Sequence, residues 1–413
     1  MTSRWGILAI AALSVLTAPV AGSGRAAAAA DDLPFATDMR LAGDDHQTRF
    51  VMDVSRKIEL RAFTLANPYR VVVDIPQITF QVPPRLGEKG RGLIKAFRFG
   101  LVMAGGSRIV LDVDRPVKLE RAFVLDAAKG QPARLVLDLS ATDRDSFMRN
   151  LSAENRDKPQ ASAQPVSPSS NPRPGDPRPI VVIDPGHGGI DTGTKSAAGD
   201  DEKTIVLDIG LKLRDAIEKT GKYRVVMTRT DDTFVPLADR VRFARDRQGA
   251  LFLSIHADAL PKREGDAQGA TVYTLSEKAS DAEAARLADA ENKADVIAGL
   301  DLANEPGDVA DILVDLAQRE TKNFSHQFAR NLVGEMKGAV RLHQTPMKSA
   351  GFQVLKAPDV PSVLLELGYM SNKDDLKLLK SEAWRSKTVE TLAKAIDLFF
   401  STRKVAGTGN GQP

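Results

Sequence analysis

A proline-rich stretch divides this chain of 413 residues into two parts that must fold separately. Between Leu151 and Pro179, serine, asparagine, glutamine and alanine surround prolines at positions 159, 165, 168, 172, 174, 177 and 179. Such a composition buries too little apolar surface to offset the entropy lost on ordering, and its prolines favour an extended path. We therefore predict a Pro/Ser-rich linker over residues 148–179, with a folded domain on each side.

The part before the linker contains a short pattern that occurs four times. An arginine and an aspartate enclose three apolar residues at 49–53, 70–74, 108–112 and 134–138. Because side chains alternate along a strand, the arginine and the aspartate of each unit share one face, and flanking apolar residues share the other. We predict an all-β sandwich domain over residues 31–147, with cross-strand salt bridges on an exposed face. The domain carries no cluster of acids, bases or metal ligands, so we expect it to bind rather than to react.

The part after the linker alternates short apolar runs with helical patterns. Residues 180–184 form the first apolar run, and the helical spacing that follows is carried by Ile205, Ile209, Leu213 and Ile217. Further strand-like runs lie at 223–227, 250–255, 270–275, 352–355 and 362–365. We predict an α/β domain over residues 180–402, with a mostly parallel sheet flanked by helices, and a disordered tail at 403–413.

The first 30 residues have the features of a secretory signal peptide. Arg4 precedes an apolar stretch from Trp5 to about Val20, and a run of small residues ends at Ala30. A membrane anchor is the alternative, but this apolar stretch is short for a span. Because there is no twin-arginine pair, we predict export to the periplasm through the general secretion route. No other stretch is long and apolar enough to cross a bilayer, so we expect no membrane span in the mature protein.

Charge and cysteine content narrow the classes of partner. The formal net charge of +3 is spread along the chain, so a nucleic-acid partner is not indicated, whereas modest basicity suits a negatively charged polymer. The absence of cysteine excludes a disulfide framework and a lipid-anchored N-terminal cysteine.

Two histidines and one carboxylate lie where predicted elements begin or end. His187 follows the first apolar run, His256 ends the third, and Glu202 lies in the first turn of a predicted helix. The carboxyl ends of strands in open α/β sheets gather functional residues at one edge, so we expect these side chains to converge. Two imidazoles and one carboxylate are a ligand set of catalytic zinc, which keeps a fourth position for water. The alternative is that each histidine has an ordinary loop or core role.

Glu366 ends the apolar run 362–365 and is our candidate for the catalytic general base and acid. It is not needed as a ligand, and a second carboxylate must carry the proton from water to the leaving group. A buried structural ion pair is the alternative for this residue.

These segments together resemble the zinc-dependent N-acetylmuramoyl-L-alanine amidases of the cell-separation type. Four parts of the sequence carry the resemblance: residues 184–189 around His187, Glu202, residues 254–258 around His256, and residues 365–372, which include Glu366. The N-terminal region resembles the AMIN domain that targets such amidases to the envelope. The resemblance implies one Zn²⁺ held by His187, Glu202 and His256, with Glu366 catalytic. The implied substrate is peptidoglycan, cleaved between N-acetylmuramic acid and L-alanine of the stem peptide in wall remodelling and daughter-cell separation.

Residues 276 to about 307 depart from a minimal enzyme of this kind. Ser280 and Glu283 have capping-box spacing, so we expect an amphipathic helix to follow. In members of the family with such an insert, a glutamate of the inserted helix occupies the open metal position until an activator of the LytM type displaces it. Glu291 matches that glutamate best, with Glu283 and Glu305 as weaker candidates. The alternative is a helix whose polar face is simply solvated.

Two other functions stay open at this stage. A zinc peptidoglycan peptidase would use the same ligands, and a non-catalytic wall-binding protein would carry a degenerate site. The intact set of candidate residues argues against the second of these.

Overall fold

The computed structural model describes residues 33–156, 176–259, 267–300 and 312–408, apart from the single residues 84, 104 and 129. The predicted signal peptide and most of the predicted linker lie outside these residues. Among the described residues, no helix combines the length and the apolar character that a membrane span requires.

The N-terminal domain is a sandwich of two antiparallel sheets. Its elements are β1 (Phe35–Gly43), β2 (Gln47–Val54), β3 (Arg61–Leu65), β4 (Arg70–Pro76), β5 (Thr79–Phe80), β6 (Ile94–Met103), β7 (Gly106–Val113), β8 (Val117–Leu125), β9 (Ala133–Ala141) and helix α1 (Arg144–Arg156). One sheet has the order β5-β1-β2-β9-β8 and the other has the order β3-β4-β7-β6, with only β1 and β5 pairing in parallel. Apolar side chains of both sheets share one core, in which the rings of Phe50 and Phe97 lie 5.3 Å apart. The predicted sandwich is confirmed.

The repeated units pair with one another across strands. Arg49 lies opposite Asp138, and Asp74 lies opposite Arg108. Each pair forms a salt bridge of 2.6 Å. The prediction that the salt bridges lie on an exposed face is right for Arg49, whose side chain is 49% exposed. It is wrong for Arg108, whose side chain is 11% exposed. The second domain covers that part of the sandwich, which no strand pattern reveals.

The C-terminal domain is a six-stranded sheet between two layers of helices. Its elements are β10 (Ile180–Pro185), α2 (Glu202–Glu218), β11 (Arg224–Met227), α3 (Leu237–Asp246), β12 (Leu251–His256), β13 (Ala270–Leu275), α4 (Ala282–Glu291), α5 (Ala294–Ile297), α6 (Ile312–Met336), β14 (Leu342–Ala350), β15 (Ser362–Glu366), α7 (Lys373–Leu379) and α8 (Glu382–Thr408). The strand order is β11-β10-β12-β15-β13-β14. Strands β10, β11, β12 and β15 are parallel, whereas β13 and β14 run in the opposite direction. The predicted α/β class with a mostly parallel sheet is confirmed.

Both faces of this sheet are buried, which explains the continuous apolar runs of its central strands. Along β12, Leu251 and Leu253 pack into the core formed with α2, α6 and α8, while Phe252 packs into the core formed with α3 and α4. The parallel strands therefore end at one buried edge between the helix layers.

Four local predictions differ from the structure. Residues 353–355 form a 3-10 turn rather than a strand, and the strand is the more polar β14 just before it. Helix α4 has its N-cap at Asp281, whose side chain accepts from the Ala284 N–H, rather than at Ser280. Residues 148–156, predicted as linker, belong to helix α1. Helix α8 continues to Thr408, beyond residue 403, where the predicted disordered tail begins.

Candidate active site

Four buried side chains point at one small volume beside the carboxyl end of the central strands. The atoms are His187 Nε2, His256 Nδ1, Glu202 Oε1 and Glu291 Oε2. Glu202 Oε1 lies 3.2 Å from His187 Nε2 and 3.4 Å from His256 Nδ1. Glu291 Oε2 lies 3.8 Å from His187 Nε2 and 3.2 Å from His256 Nδ1. Ligands at about 2.0–2.1 Å from a tetrahedral zinc ion stand about 3.3–3.4 Å apart, so the arrangement has the dimensions of such a site.

The parallel sheet brings these residues together. His256 is the last residue of β12, and the loop with His187 leaves the neighbouring strand β10 at the same edge. Glu202 begins helix α2 and reaches the edge after a turn of the chain. Glu366 is the last residue of β15 and lies directly opposite His256 in the sheet. The structure thus places all four predicted site residues, and Glu291, at one edge.

Two glycines leave room for the ligand side chains. A Cβ on Gly186 would lie 2.3 Å from Cε1 of His256, and a Cβ on Gly193 would lie 2.6 Å from Cδ2 of His187. His187 itself has a φ of 59°, a left-handed conformation that non-glycine residues adopt at some energetic cost. The loop after β10 is therefore shaped around the imidazoles.

The two histidines offer nitrogen atoms that protein groups do not satisfy. Among the described residues, His187 Nε2 and His256 Nδ1 are buried and make no hydrogen bond. Unpaired polar atoms buried in this way are costly, which indicates a partner that is not a protein group. Nitrogen and carboxylate donors in a buried cluster of this size suit a zinc ion, so the residues present fit the metal that the motifs imply.

Asp191 orients His187 from behind. The Nδ1–H of His187 donates to Asp191 Oδ2 at 2.9 Å, which leaves the lone pair of Nε2 directed into the site. Burial by itself lowers the pKa of His187, but Asp191, Glu202 and Glu291 together raise it well above its ordinary value. The sequence prediction missed Asp191, which lies in a loop where no periodic spacing relates it to His187.

Main-chain hydrogen bonds orient the Glu202 carboxylate. Its Oε1 accepts from the Ala257 N–H at 2.8 Å, and its Oε2 accepts from the Thr194 N–H at 3.0 Å. Burial alone would raise the pKa of Glu202. The adjacent His187 and His256, of which His187 has the larger effect, instead lower this pKa well below its ordinary value. Glu202 is therefore ionised, as a metal ligand has to be.

Two buried arginines hold the loop that carries His187. Arg240 donates to the carbonyl oxygen of His187 at 2.8 Å and pairs with the fully buried Asp184 at 2.7 Å. Arg229 donates to the carbonyl oxygen of Gly186 at 2.7 Å. Sequence patterns give no sign of these contacts, because they depend on how the loop folds back over the sheet.

The carboxyl group of Glu366 is fully buried beside other carboxylates. Its Oε2 accepts from the Asp258 N–H at 3.0 Å, and its Oε1 is buried without a hydrogen-bond partner among the described residues. Burial, with the nearby carboxylates of Glu202, Asp258 and Glu291, raises its pKa well above the ordinary value. The predicted alternative of a buried ion pair is not found, since no cation of the described residues pairs with Glu366.

Of the other two glutamates considered for the insert, Glu283 is among the described residues. Glu283 pairs with Lys348 at 2.9 Å and accepts from the Tyr369 hydroxyl at 3.0 Å, away from the histidine cluster. Glu305 falls outside the described residues. Of the two candidates among the described residues, Glu291 is the one that lies in the cluster, as the last residue of α4.

Residues 181–397 match the family described as N-acetylmuramoyl-L-alanine amidase, and residues 38–139 match the AMIN domain. The chain belongs to the N-acetylmuramoyl-L-alanine amidase family. The predicted amidase activity, its role as a peptidoglycan hydrolase in cell separation, and the N-terminal AMIN domain are confirmed with it.

Relatives of this amidase share most of its length. It is 34% identical to the N-acetylmuramoyl-L-alanine amidase AmiC of Escherichia coli, over 86% of this chain and 87% of that protein. It is 33% identical to AmiC of Neisseria meningitidis, over 95% of this chain and 94% of that protein. The solved amidase of Clostridium difficile covers 54% of this chain and 97% of its own, at 24% identity and a TM-score of 0.39.

Proposed function

We propose that this amidase holds one zinc ion with His187, Glu202 and His256, and that Glu366 is its general base and acid. The observation that carries the proposal is the pair of buried imidazole nitrogens that make no hydrogen bond, although they lie 3.2 and 3.4 Å from Oε1 of Glu202. Two neutral imidazoles and one carboxylate leave a zinc ion with net positive charge. A site of that charge attracts the oxygen atoms of an amide substrate.

Zinc bound there supplies a Lewis acid for the amide carbonyl and lowers the pKa of water toward neutrality. The proton transfers are assigned to a residue of the chain itself. Glu366, whose Oε1 has no hydrogen-bond partner among the described residues, would take a proton from the attacking water and pass it to the leaving nitrogen of L-alanine. The raised pKa of Glu366 makes its carboxylate a stronger base for this step.

The insert keeps the enzyme in an autoinhibited state. Glu291 takes the position beside both histidines that substrate or water needs, so helix α4 must leave before hydrolysis can begin. Displacement of this helix is the role we assign to an activator protein of the LytM type. The inhibited state protects the wall until the activator is present.

We assign the working site of the enzyme to the periplasm, where its peptidoglycan substrate lies. Residues 1–30 would direct export through the general secretion route and be removed on the way. Fractionation of cells that express the full chain tests this, and the mature enzyme should be recovered with the periplasmic proteins.

Digestion of isolated sacculi tests the metal, the proton carrier and the insert together. The full-length enzyme, a variant without residues 280–305, and the same deletion with Glu366→Ala are compared, with zinc measured in each. We expect one zinc per chain in all three, fast release of stem peptides with free L-alanine termini by the deletion variant, and none with Glu366→Ala. An unchanged rate in the deletion variant would count against autoinhibition, and loss of zinc with Glu366→Ala would make that residue a ligand.

A further inference from the structure

Three arginines on one face of the AMIN domain hold the end of the insert. They lie on neighbouring strands of the four-stranded sheet, Arg70 on β4, Arg98 on β6 and Arg108 on β7. Arg70 donates to the carbonyl oxygen of Val296 at 2.6 Å, and Arg98 donates to that of Ile297 at 2.5 Å. Arg108 donates to the carbonyl oxygens of residues 298 and 299 at 3.0 and 3.3 Å.

These carbonyl groups lie at the carboxyl end of α5, the short helix that follows Glu291 by a few residues. The last carbonyls of a helix have no partner within the helix and carry partial negative charge, so guanidinium groups suit them. Arg98 and Arg108 are themselves aimed by the cross-strand carboxylates of Asp112 and Asp74. The AMIN domain thus presents a row of oriented cations to one short segment.

Apolar packing accompanies these hydrogen bonds. A Cβ added to Gly299 would lie 2.9 Å from Cγ2 of Val110 and 3.0 Å from Cγ2 of Val72, so the insert lies directly on the sheet. Both valines are fully buried and share a core with Ala294 and Ala298 of the insert. The contact therefore excludes water and differs from a loose encounter of surface charges.

The AMIN domain also contacts the loop that carries His187. The carbonyl oxygen of Leu101 on β6 accepts from the Ile190 N–H at 3.0 Å, three residues beyond His187. One domain therefore touches both the loop of a candidate zinc ligand and the segment that follows Glu291.

The insert is attached to the catalytic domain as well. Lys348 on β14 pairs with Asp281 and Glu283 at the start of α4, at 3.4 and 2.9 Å. Asp295 accepts from the N–H of Leu237 at the start of α3. The arginine row is thus a third attachment, and it comes from a different domain.

We propose that the arginine-bearing face of the AMIN domain is a docking surface for residues 294–300 of the same chain, and that this docking helps to keep Glu291 in the metal site. The inference rests on the proposed autoinhibition for its effect on activity, but the docking itself does not. For α4 to move away from the two histidines, residues 294–300 must then leave the AMIN domain or stretch away from it. The AMIN domain is in this way part of the inhibitory device, in addition to its role in targeting.

The test compares two double variants of the full-length enzyme. Arg98→Gln with Arg108→Gln removes two arginines of the docking face. Arg49→Gln with Arg121→Gln is the matched control, because these arginines also pair across strands, with Asp138, but on the exposed face of the other sheet. Amide hydrogen exchange is measured in α4 and, as a check of folding, in strands β2 and β9. Basal hydrolysis of sacculi is measured in parallel.

Loss of the two arginines should speed exchange in α4 by about tenfold or more, because each hydrogen bond to a charged donor is worth about a factor of ten. Basal hydrolysis should rise in the same direction, while the control pair leaves both quantities within about twofold of the starting enzyme. Unchanged exchange in α4, or an equal rise in both double variants, overturns the docking proposal. Faster exchange without faster hydrolysis supports docking and contradicts autoinhibition instead.

A second variant disrupts the contact by a substitution in the insert. Gly299→Val places a side chain against Val72 and Val110 without any change in the AMIN domain. Gly338→Val is its control, since Gly338 has a similar positive φ of 81° and open space around its Cβ position. Faster exchange in α4 for Gly299→Val alone supports docking even if the arginine variant is poorly folded, and equal exchange in the two overturns it.

Discussion

Replacement of Glu291 by glutamine separates the inhibitory contact from the fold of the insert. The side chain keeps its size and remains buried, but the carboxylate beside the two histidines becomes a neutral amide. In the structure, Oε2 of Glu291 lies 3.2 Å from His256 Nδ1 and 3.8 Å from His187 Nε2. An amide oxygen at this place is a weaker partner for a cation than a carboxylate oxygen.

The size of the effect follows from the type of interaction that is lost. A buried contact between charged groups is worth about 2 kcal/mol net, which corresponds to roughly a 30-fold change in an equilibrium. The other attachments of the insert, including the Lys348 pair with Glu283, are unaffected. We therefore expect basal hydrolysis by Glu291→Gln to rise by about 30-fold, but to stay below the rate of the variant without residues 280–305.

The assay is release of soluble fragments from labelled sacculi by zinc-loaded enzyme in the absence of any activator. Asp289→Asn is the matched control, because Asp289 lies on the same helix with its side chain exposed to solvent. A rate for Glu291→Gln within about twofold of the Asp289→Asn rate, at equal zinc content, would refute the reasoning, since the control removes only a surface charge.

Three further predictions concern the site. Glu366→Gln should lower kcat by about 10²–10⁴-fold with zinc retained, measured as stem-peptide release by the deletion variant, and a kcat within tenfold would contradict its role in proton transfer. Asp191→Asn should weaken zinc affinity by about 10–100-fold, measured by competition with a chelator, and unchanged affinity would mean that His187 needs no orienting partner. Burial and neighbouring carboxylates raise the pKa of Asp258 to about 7, so the folded metal-free protein keeps a proton that the unfolded chain releases above its ordinary pKa of 3.8. Its stability should therefore fall as the pH rises from 5 to 7, by up to about 1.4 kcal/mol per pH unit for this group. Urea unfolding with chelator measures the slope, and an equal slope in Asp258→Asn would assign it to other groups.

The candidate ligands could be predicted from the sequence because their positions follow from strand ends. A buried parallel strand is a continuous apolar run, and its last residue lies at the functional edge of the sheet. His256 and Glu366 occupy such positions on neighbouring strands, and His187 follows a third. Asp191 was not predicted, since its contact with His187 depends on the left-handed turn at His187, which sequence periodicity does not encode.

Strands at the edge of a sheet and contacts between domains could not be predicted from sequence patterns, for a different reason. Strand β14 has few buried apolar residues and is held by its pairing with β13, so the sequence pattern favours the apolar run at 352–355 as the strand instead. The repeated Arg/Asp units look alike in the sequence, yet Arg49 is exposed and Arg108 is covered. Only the position of the second domain distinguishes them, and no local pattern carries that information.

The proposed docking limits which ligands can bind to the four-stranded sheet of the AMIN domain without activating the enzyme. The outer face of the four-stranded sheet holds the insert through Arg70, Arg98 and Arg108. A wall ligand that binds there would have to displace residues 294–300 and so would activate the enzyme. A ligand that only localises the enzyme, and leaves it inhibited until its activator arrives, would therefore have to bind outside the docking face that carries Arg70, Arg98 and Arg108.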